Sequence, residues 1–425
     1  MLDPKLLREN PELVRGMLAN RKFEFPLDHL IALDKRRREL ILQVEKFKHR
    51  KNLLARVIST KIKNHQDTVP EREEMTGIGA ELADIEQEKK TLDAKFRTSM
   101  MTLPNLINKS VPIGSDEKEN VILRYHGAIT NFDFFLKDHV DIANSLGLLD
   151  IERAAKIAGA RFYFLKNELV KLNLALINYA LDFLAKKGYN LAQPPFMIRR
   201  EAMEGAVILG DVEDMIYKIE KDDLYMIGTS EHSMASMHMN EIFNGKVLPL
   251  RYASISPCFR KEAGAHGKDT KGIFRVHQFE KVEQFVYSRP EESEQEHERL
   301  LAISEEFYDQ LGIPYRTVLL CSADLGKTSS KTYDIEAWMP SQNAYREIVS
   351  CSNCADFQAR RLLTRFRDKI NEETRFVHTL NSTLVATERT LACIIENYQT
   401  SSGTFKIPDV LQHYMGEMRE ISSKN

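Results

Sequence analysis

Little in this sequence ties the chain together covalently or marks it for a lipid bilayer. Five cysteines in 425 residues are too few, and odd in number, for a disulfide framework. A reducing compartment suits them, so a cytoplasmic location is expected. No apolar run approaches the ~20 residues of a membrane helix. The start, Met1 to Asn10, has no apolar stretch behind a basic one, so no secretory signal is read. Charge of one sign is also missing: the net charge is −2. A nucleic-acid partner would therefore have to be met by local basic surface. What is present is an ordinary soluble composition, 29% charged and 43% hydrophobic. The length points to two or three domains with ample chain for a core.

The N-terminal third reads as helices. Asp3-Pro4 and Asn10-Pro11 place a capping side chain before a proline. Phe25-Pro26-Leu27-Asp28 breaks the pattern, and Asp28 is a candidate cap for the next helix. Leu33, Leu40, Val44, Phe47, Leu54 and Ile58 then recur at heptad spacing, interrupted by Arg37 and Lys51. A polar segment, 64–71, precedes a second seam: Ile78, Leu82, Ile85, Leu92 and Phe96. Two such helices predict an antiparallel coiled-coil hairpin over about 28–100. Its first helix is basic and its second acidic. Complementary pairing across the hairpin accounts for part of the charge. Surplus cations such as Lys35, Arg36, Arg38, Lys46, Arg50 and Lys51 are candidates to track an RNA backbone. The helices end at Leu103-Pro104-Asn105, which sets domains at 1–105 and 106–425.

Four later stretches carry chemistry. In 257–287, two β-rich runs flank a loop with Gly264, Gly267 and Gly272, and 273–287 alternates as a half-buried strand would. Alone, Phe259-Arg260-Lys261-Glu262 is usually a solvated strand end. In 224–232 an apolar strand delivers Gly228, Thr229, Ser230 and Glu231. Asp324-Leu325-Gly326-Lys327-Thr328 invites a phosphate-loop reading, but Cys321 stands where the first glycine is needed. Cys351 and Cys354 form a lone C-x-x-C without a second pair, which argues against structural zinc. His232 and His277 read as structural histidines. Upstream, Leu172, Leu176, Tyr179 and Phe183 share one face of a helix over 169–185, and Pro194-Pro195 opens a bent strand.

The strings Phe259-Arg260-Lys261-Glu262 and Gly272 to Gln284 resemble motif 2 of class II aminoacyl-tRNA synthetases, and within them the seryl-tRNA synthetases of the common type without zinc. Tyr345 to Arg361 is similar to the same family, and Thr379 to Leu391 resembles its motif 3. There Ser382, Thr383, Leu384 and Glu388 depart from the family's Gly, Ser, Gly and Gly, while Arg389 is kept. The resemblance covers nearly the whole chain.

It implies an α+β fold: a class II antiparallel sheet of six to seven strands flanked by helices, with an N-terminal coiled-coil arm. It implies serine–tRNA ligase activity with ATP and Mg²⁺. Arg260, Glu347 and Arg389 would be the catalytic set. L-serine would meet Thr229, Ser230, Glu231, Glu283 and Thr383. ATP would meet Arg260, Lys261, Glu262, Val276, Phe279, Glu347, Ile348, Val349, Ser350 and Arg389, with Mg²⁺ on Glu347 and Ser350. Implied partners are tRNA(Ser), gripped by its long variable arm, tRNA(Sec) as a further acceptor, and a second copy in a homodimer whose interface uses 160–196; no membrane is implied. The loop residues Lys268 to Lys271 would meet the tRNA acceptor end. Two other readings stay open: a synthetase-like paralogue that charges no tRNA, and a non-catalytic RNA-binding scaffold.

Overall fold

The computed structural model describes residues 1–262 and 271–422. Gly264, Gly267 and Lys268 to Thr270 lie outside the described residues. The chain divides into two compact units. One comprises 2–19 and 23–103; the other comprises Met1, 20–22 and 104–425.

The smaller unit is helical. α1 (Leu6–Glu9) and α2 (Pro11–Asn20) are short. α3 (Leu27–Lys63) and α4 (Val69–Thr102) form the arm. At 1.5 Å per residue, α3 is roughly 55 Å long. The heptad positions meet as expected: Leu33, Leu40, Val44 and Leu54 are buried on α3, and Leu82 and Phe96 on α4. Arg37, which interrupts the seam, lays its guanidinium 4.6 Å from the Phe96 ring and reaches Asp93 at 3.3 Å. Its aliphatic stem joins the seam while its charge leaves it. Asp28 does not cap α3. Pro26 occupies that position without a side-chain bond, and Asp28 accepts a hydrogen bond from Arg15 at 2.8 Å instead.

The larger unit is built on a sheet whose strands are β1 (Val121–His126), β2 (Asn190–Ala192), β3 (Leu250–Phe259), β4 (Gln278–Ser288), β5 (Tyr315–Leu319), β6 (Lys331–Met339), β7 (Ala344–Asn353) and β8 (His378–Ala386). Their order is β1-β5-β6-β7-β8-β4-β3-β2. That is eight strands among the described residues, more than the six to seven expected. The short edge strand β2 is the addition, and it pairs parallel with β3. The other pairs are antiparallel.

One face of the sheet is covered by α5 (Glu168–Lys186), α6 (Ser293–Leu311) and α7 (Thr387–Asn397). Leu172, Leu176, Tyr179 and Phe183 are all buried in this core, as the periodicity predicted. The strand expected over 273–287 begins only at Gln278, and from Lys281 to Ser288 both its faces are buried rather than one, but the period of two still sorts its side chains. Val282 and Val286 face the helices, and Gln284 donates to Ser304 on α6 at 3.0 Å. Phe279, Lys281 and Glu283 face the other way, into a cavity.

Candidate active site

That cavity has a volume of about 290 Å³. Arg260 enters it from the end of β3, Phe279, Lys281 and Glu283 from β4, Glu347, Ile348 and Ser350 from β7, Thr383 from β8 and Arg389 from α7. Thr229 and Glu231 also line it, from the start of a short helix, Ser230–Ser236, whose first turn Thr229 caps through Glu231 N–H at 3.2 Å.

Two irregularities make this convergence possible. Glu347 and Ser350 are three apart, so a regular strand would turn them to opposite faces. The β6–β7 register slips here: Ile335 pairs with Val349, but Glu336 pairs with Glu347. The extra residue, Ile348, is a bulge that brings both side chains to the cavity. A second slip sets Val282 against Val385 and Glu283 against Thr383. Leu384 is the extra residue there, and Thr383 and Ala386 both reach the cavity wall.

The two arginines are held by the backbone. Arg260 Nε donates to Gly228 O at 3.1 Å, and its guanidinium lies 5.1 Å from the Phe279 ring. Arg389 Nη1 donates to Glu347 O at 2.9 Å and sits 3.2 Å from the Glu347 carboxylate. That guanidinium holds the Glu347 carboxyl below its usual range, chiefly against the opposing effect of burial. Both arginines also line a narrower adjoining cleft with Glu262, Phe274, Val276, Phe279 and Glu388.

The cavity also carries further carboxylates. Lys281 pairs with Glu283, and Thr383 Oγ1 lies 3.4 Å from both Lys281 Nζ and Glu283 Oε2. Glu231 accepts from Gln358 Nε2 at 2.8 Å. Burial pushes the Glu231 carboxyl up to about 7, and the charge on Glu283 adds to the rise, while Lys281 and Gln358 oppose it. His232 is buried and drops to about 3, mainly through burial, so it is neutral. His277 lies outside the cavity wall and bonds Arg260 O through Nδ1 at 2.8 Å.

Not every expected residue reaches the cavity. Ser230 is fully buried and bonds Ser254 at 2.7 Å. Val349 faces the core. Lys261 points its ammonium over the Tyr217 ring at 5.9 Å. Glu262 lines the adjoining cleft, paired to Arg275 at 2.5 Å. Conversely, Asp324, Gly326, Thr328 and Ser329 line the cavity. Sequence reasoning set this stretch aside because it is not a phosphate loop; its hydroxyls and glycine were the available signal. Gln358 lies inside the family-like string Tyr345 to Arg361, but nothing in that string alone gave it a role.

Glu388 is buried where the family pattern has glycine. It accepts from Tyr163, from Glu280 N–H at 3.0 Å and from Thr387 at 2.9 Å. Burial raises its carboxyl to about 7 despite these donors. Cys351 and Cys354 are both buried and free, and burial raises their thiols.

An antiparallel sheet presenting two arginines and a carboxylate to one hollow has the architecture of a class II synthetase core. The family model "tRNA synthetase class II core domain (G, H, P, S and T)" matches residues 215–398, and "Seryl-tRNA synthetase N-terminal domain" matches 1–107. A serine–tRNA ligase of Nitrosopumilus maritimus is 59% identical, covering 99% of this chain and 100% of its own. The structure of seryl-tRNA synthetase from Pyrococcus horikoshii complexed with ATP is 46% identical, covers 100% of both chains and superposes with a TM-score of 0.95. That of the cytoplasmic enzyme from Naegleria fowleri in complex with AMP is 37% identical, covers 100% of this chain and 99% of its own, and gives 0.89. The chain belongs to the seryl-tRNA synthetase family.

Proposed function

We propose that the larger unit activates L-serine with ATP and transfers it to tRNA(Ser), with the work divided among the cavity residues. The observation that carries this reading is that Arg260 and Arg389 line one cavity together with Glu231, Glu283 and Thr383. Adenine would lie in the adjoining cleft against Phe279, beside Glu262 and the Val276 backbone, with Arg389 also on its wall. Arg260 would grip the α-phosphate and Arg389 the γ-phosphate, where guanidinium forks suit phosphate oxygens.

Glu347 and Ser350 suit a divalent cation: the carboxylate is kept ionised by Arg389 and both side chains face the cavity. Mg²⁺ held there would neutralise charge on the triphosphate. Glu231 would receive the substrate ammonium, and Glu283 with Thr383 its hydroxyl. Lys281 is bonded to both.

The serine carboxylate then attacks the α-phosphorus, and pyrophosphate leaves. A ribose hydroxyl of the terminal tRNA adenosine next attacks the seryl carbonyl, and AMP leaves. Catalysis is by positioning and charge neutralisation, without a covalent enzyme intermediate.

The arm would hold the tRNA by its long variable arm, through Lys35, Lys46 and Lys51 before Arg36, Arg38 and Arg50, which already have acidic partners. Val170 and Leu174 on α5 and Ile122, Leu123 and Tyr125 on β1 are exposed. Such apolar surface suits a second copy in a homodimer. The test is serine-dependent exchange of labelled pyrophosphate into ATP, across serine, threonine, alanine and cysteine. Serine-selective exchange is expected, with alanine rejected strongly because the pocket's hydroxyl partners would be left unpaired. Absent exchange with serine would overturn the reading in favour of the scaffold.

A further inference from the structure

The stretch 324–329, between β5 and β6, puts Asp324, Gly326, Thr328 and Ser329 on the wall of the large cavity. The roles proposed above use none of it. Its backbone is held from behind. Arg21 Nη1 donates to Leu325 O at 3.2 Å and to Gly326 O at 3.3 Å, and Arg21 Nη2 donates to Ser329 O at 2.5 Å. Asn105 takes the two carbonyls between. Its backbone N–H donates to Lys327 O at 2.7 Å, and its side-chain amide donates to Thr328 O at 2.9 Å. Five consecutive carbonyls thus turn toward two residues. Arg21 Nε donates to Asn105 O at 2.9 Å, which joins the two holders to each other. Both belong to the larger unit.

Arg21 and Asn105 are both buried. Among the described residues no carboxylate pairs with Arg21, and burial lowers its guanidinium to about 10, so it stays charged at neutral pH. An unpaired buried cation is costly unless its donors are used. Here the planar fork spends them on carbonyls that solvent could otherwise have satisfied. The clamp also shows what the turn adjoins. The Asn105 amide that holds Thr328 O donates to Cys354 O at 2.8 Å. Cys354 Sγ accepts from Asn381 Nδ2 at 3.8 Å. Asn381 lines the cavity two residues before Thr383 on β8. Burial raises the Cys354 thiol, and the Glu231 carboxylate adds to the rise. Glu231 and Thr383 are residues assigned to serine.

Resting on the function proposed above, we infer that 324–329 is a wall of the serine subsite and that Arg21 and Asn105 are the positioning residues that hold it there. Neither touches the substrate. With its carbonyls drawn to the clamp, the turn keeps Gly326, Thr328 and Ser329 in one position relative to the groups that meet serine. A subsite for so small an amino acid gains selectivity from walls that do not yield, because a larger side chain enters wherever a wall gives way. Loops are ordinarily the mobile part of a fold. A cation and an amide that take up five carbonyls in a row remove that freedom.

Arg21→Lys keeps the charge and loses the fork, since an ammonium is a point charge that cannot reproduce the spread of contacts. Arg21→Ala removes both. Asn105→Ala releases Thr328 O and Cys354 O. Thr328→Ala alters the wall itself and leaves the clamp intact. A thermal melt checks the fold of each variant. The readout is serine-dependent exchange of labelled pyrophosphate, titrated separately in serine and in ATP. Millimolar guanidinium chloride serves as a chemical rescue of Arg21→Ala.

For Arg21→Lys and Asn105→Ala the expected result is a KM for serine raised about tenfold, with kcat and the KM for ATP within about twofold of the parent. Guanidinium should draw the serine KM of Arg21→Ala back toward the parental value. Thr328→Ala should raise it about threefold, a result that decides the matter even where the Arg21 variants do not fold. A parental serine KM in folded Arg21→Lys would overturn the inference, because a purely structural clamp lowers the melting temperature without touching KM. An equal rise in the KM for ATP would overturn it too, by placing the turn against the nucleotide. So would an unchanged serine KM in Thr328→Ala. Failure of serine-dependent exchange in the unaltered protein would sink the function reading instead.

Discussion

The arm and the larger unit both carry many cations, and they hold them in opposite ways. On the arm, Arg36 meets Glu88 at 2.8 Å, Lys48 meets Glu86 at 2.8 Å and Arg50 meets Glu74 at 2.6 Å, all between partly exposed side chains. Such pairs are worth ~0–1 kcal/mol each and weaken with salt. They cost little to exchange for a phosphate. In the cavity, Arg260 and Arg389 are fixed by backbone carbonyls and ring faces. Those contacts aim the guanidinium without neutralising it, and Glu347 is the one carboxylate close to Arg389 among the described residues. The first arrangement suits a long, sliding, salt-sensitive contact. The second suits a small anion in one place.

The sharpest way to break this contrast is Arg260→Ala. Exchange should fall about 10²–10³-fold, the cost of one preorganised charge contact, while tRNA affinity in a filter-binding assay stays near parental. An equal loss of tRNA affinity would mean the cavity arginine is not confined to the small anion.

The next effect is in pH. Glu231 must be ionised to receive an ammonium, and its carboxyl sits at about 7 in the free protein. The kcat/KM for serine in exchange should rise about tenfold per pH unit below that value and level above it. Glu231→Gln should abolish that limb along with most activity. Stability runs the other way. The folded pKa of Glu231, and that of Glu388, is raised above the unfolded 4.5. Their contribution is fully present below 4.5 and is lost as pH rises through about 7. Glu388→Gln should flatten that part of a melting-temperature profile. An unchanged profile would show that Glu388 stays ionised.

A smaller effect belongs to the arm. Replacing Lys35, Lys46 and Lys51 together by alanine should reduce the salt slope of tRNA binding by about one per lysine that meets a phosphate. Exchange should not change. Smallest of all is Arg50→Ala, whose cation is already matched by Glu74. It should cost the arm ~0.2–1 kcal/mol of stability, read as a small shift in the arm's melting by circular dichroism. An Arg50 effect on tRNA binding larger than that of the three lysines would reverse the ranking of arm residues.

Much was legible before any coordinates. The heptad seam from Leu33 to Leu54, the helix face of Leu172 to Phe183 and the alternation of β4 follow from periodicity alone. Arg260, Glu283, Glu347 and Arg389 were singled out by the resemblance of their motifs to the family, since charge alone would have read them as solvated surface. Other features were invisible because they depend on pairing between distant segments. Ser230 sits beside Glu231 in sequence, yet Ser254 on β3 takes its hydroxyl. Gln358 matters because it meets Glu231 across the fold.

Local order was written in the chain, since spacing along a helix or strand decides which side chains share a face. The cavity was not. Residues three apart on β7, and again on β8, line it together only because a neighbouring strand pairs out of step at Ile348 and at Leu384. A bulge is a property of two strands in register, so the order of residues in either strand leaves it open.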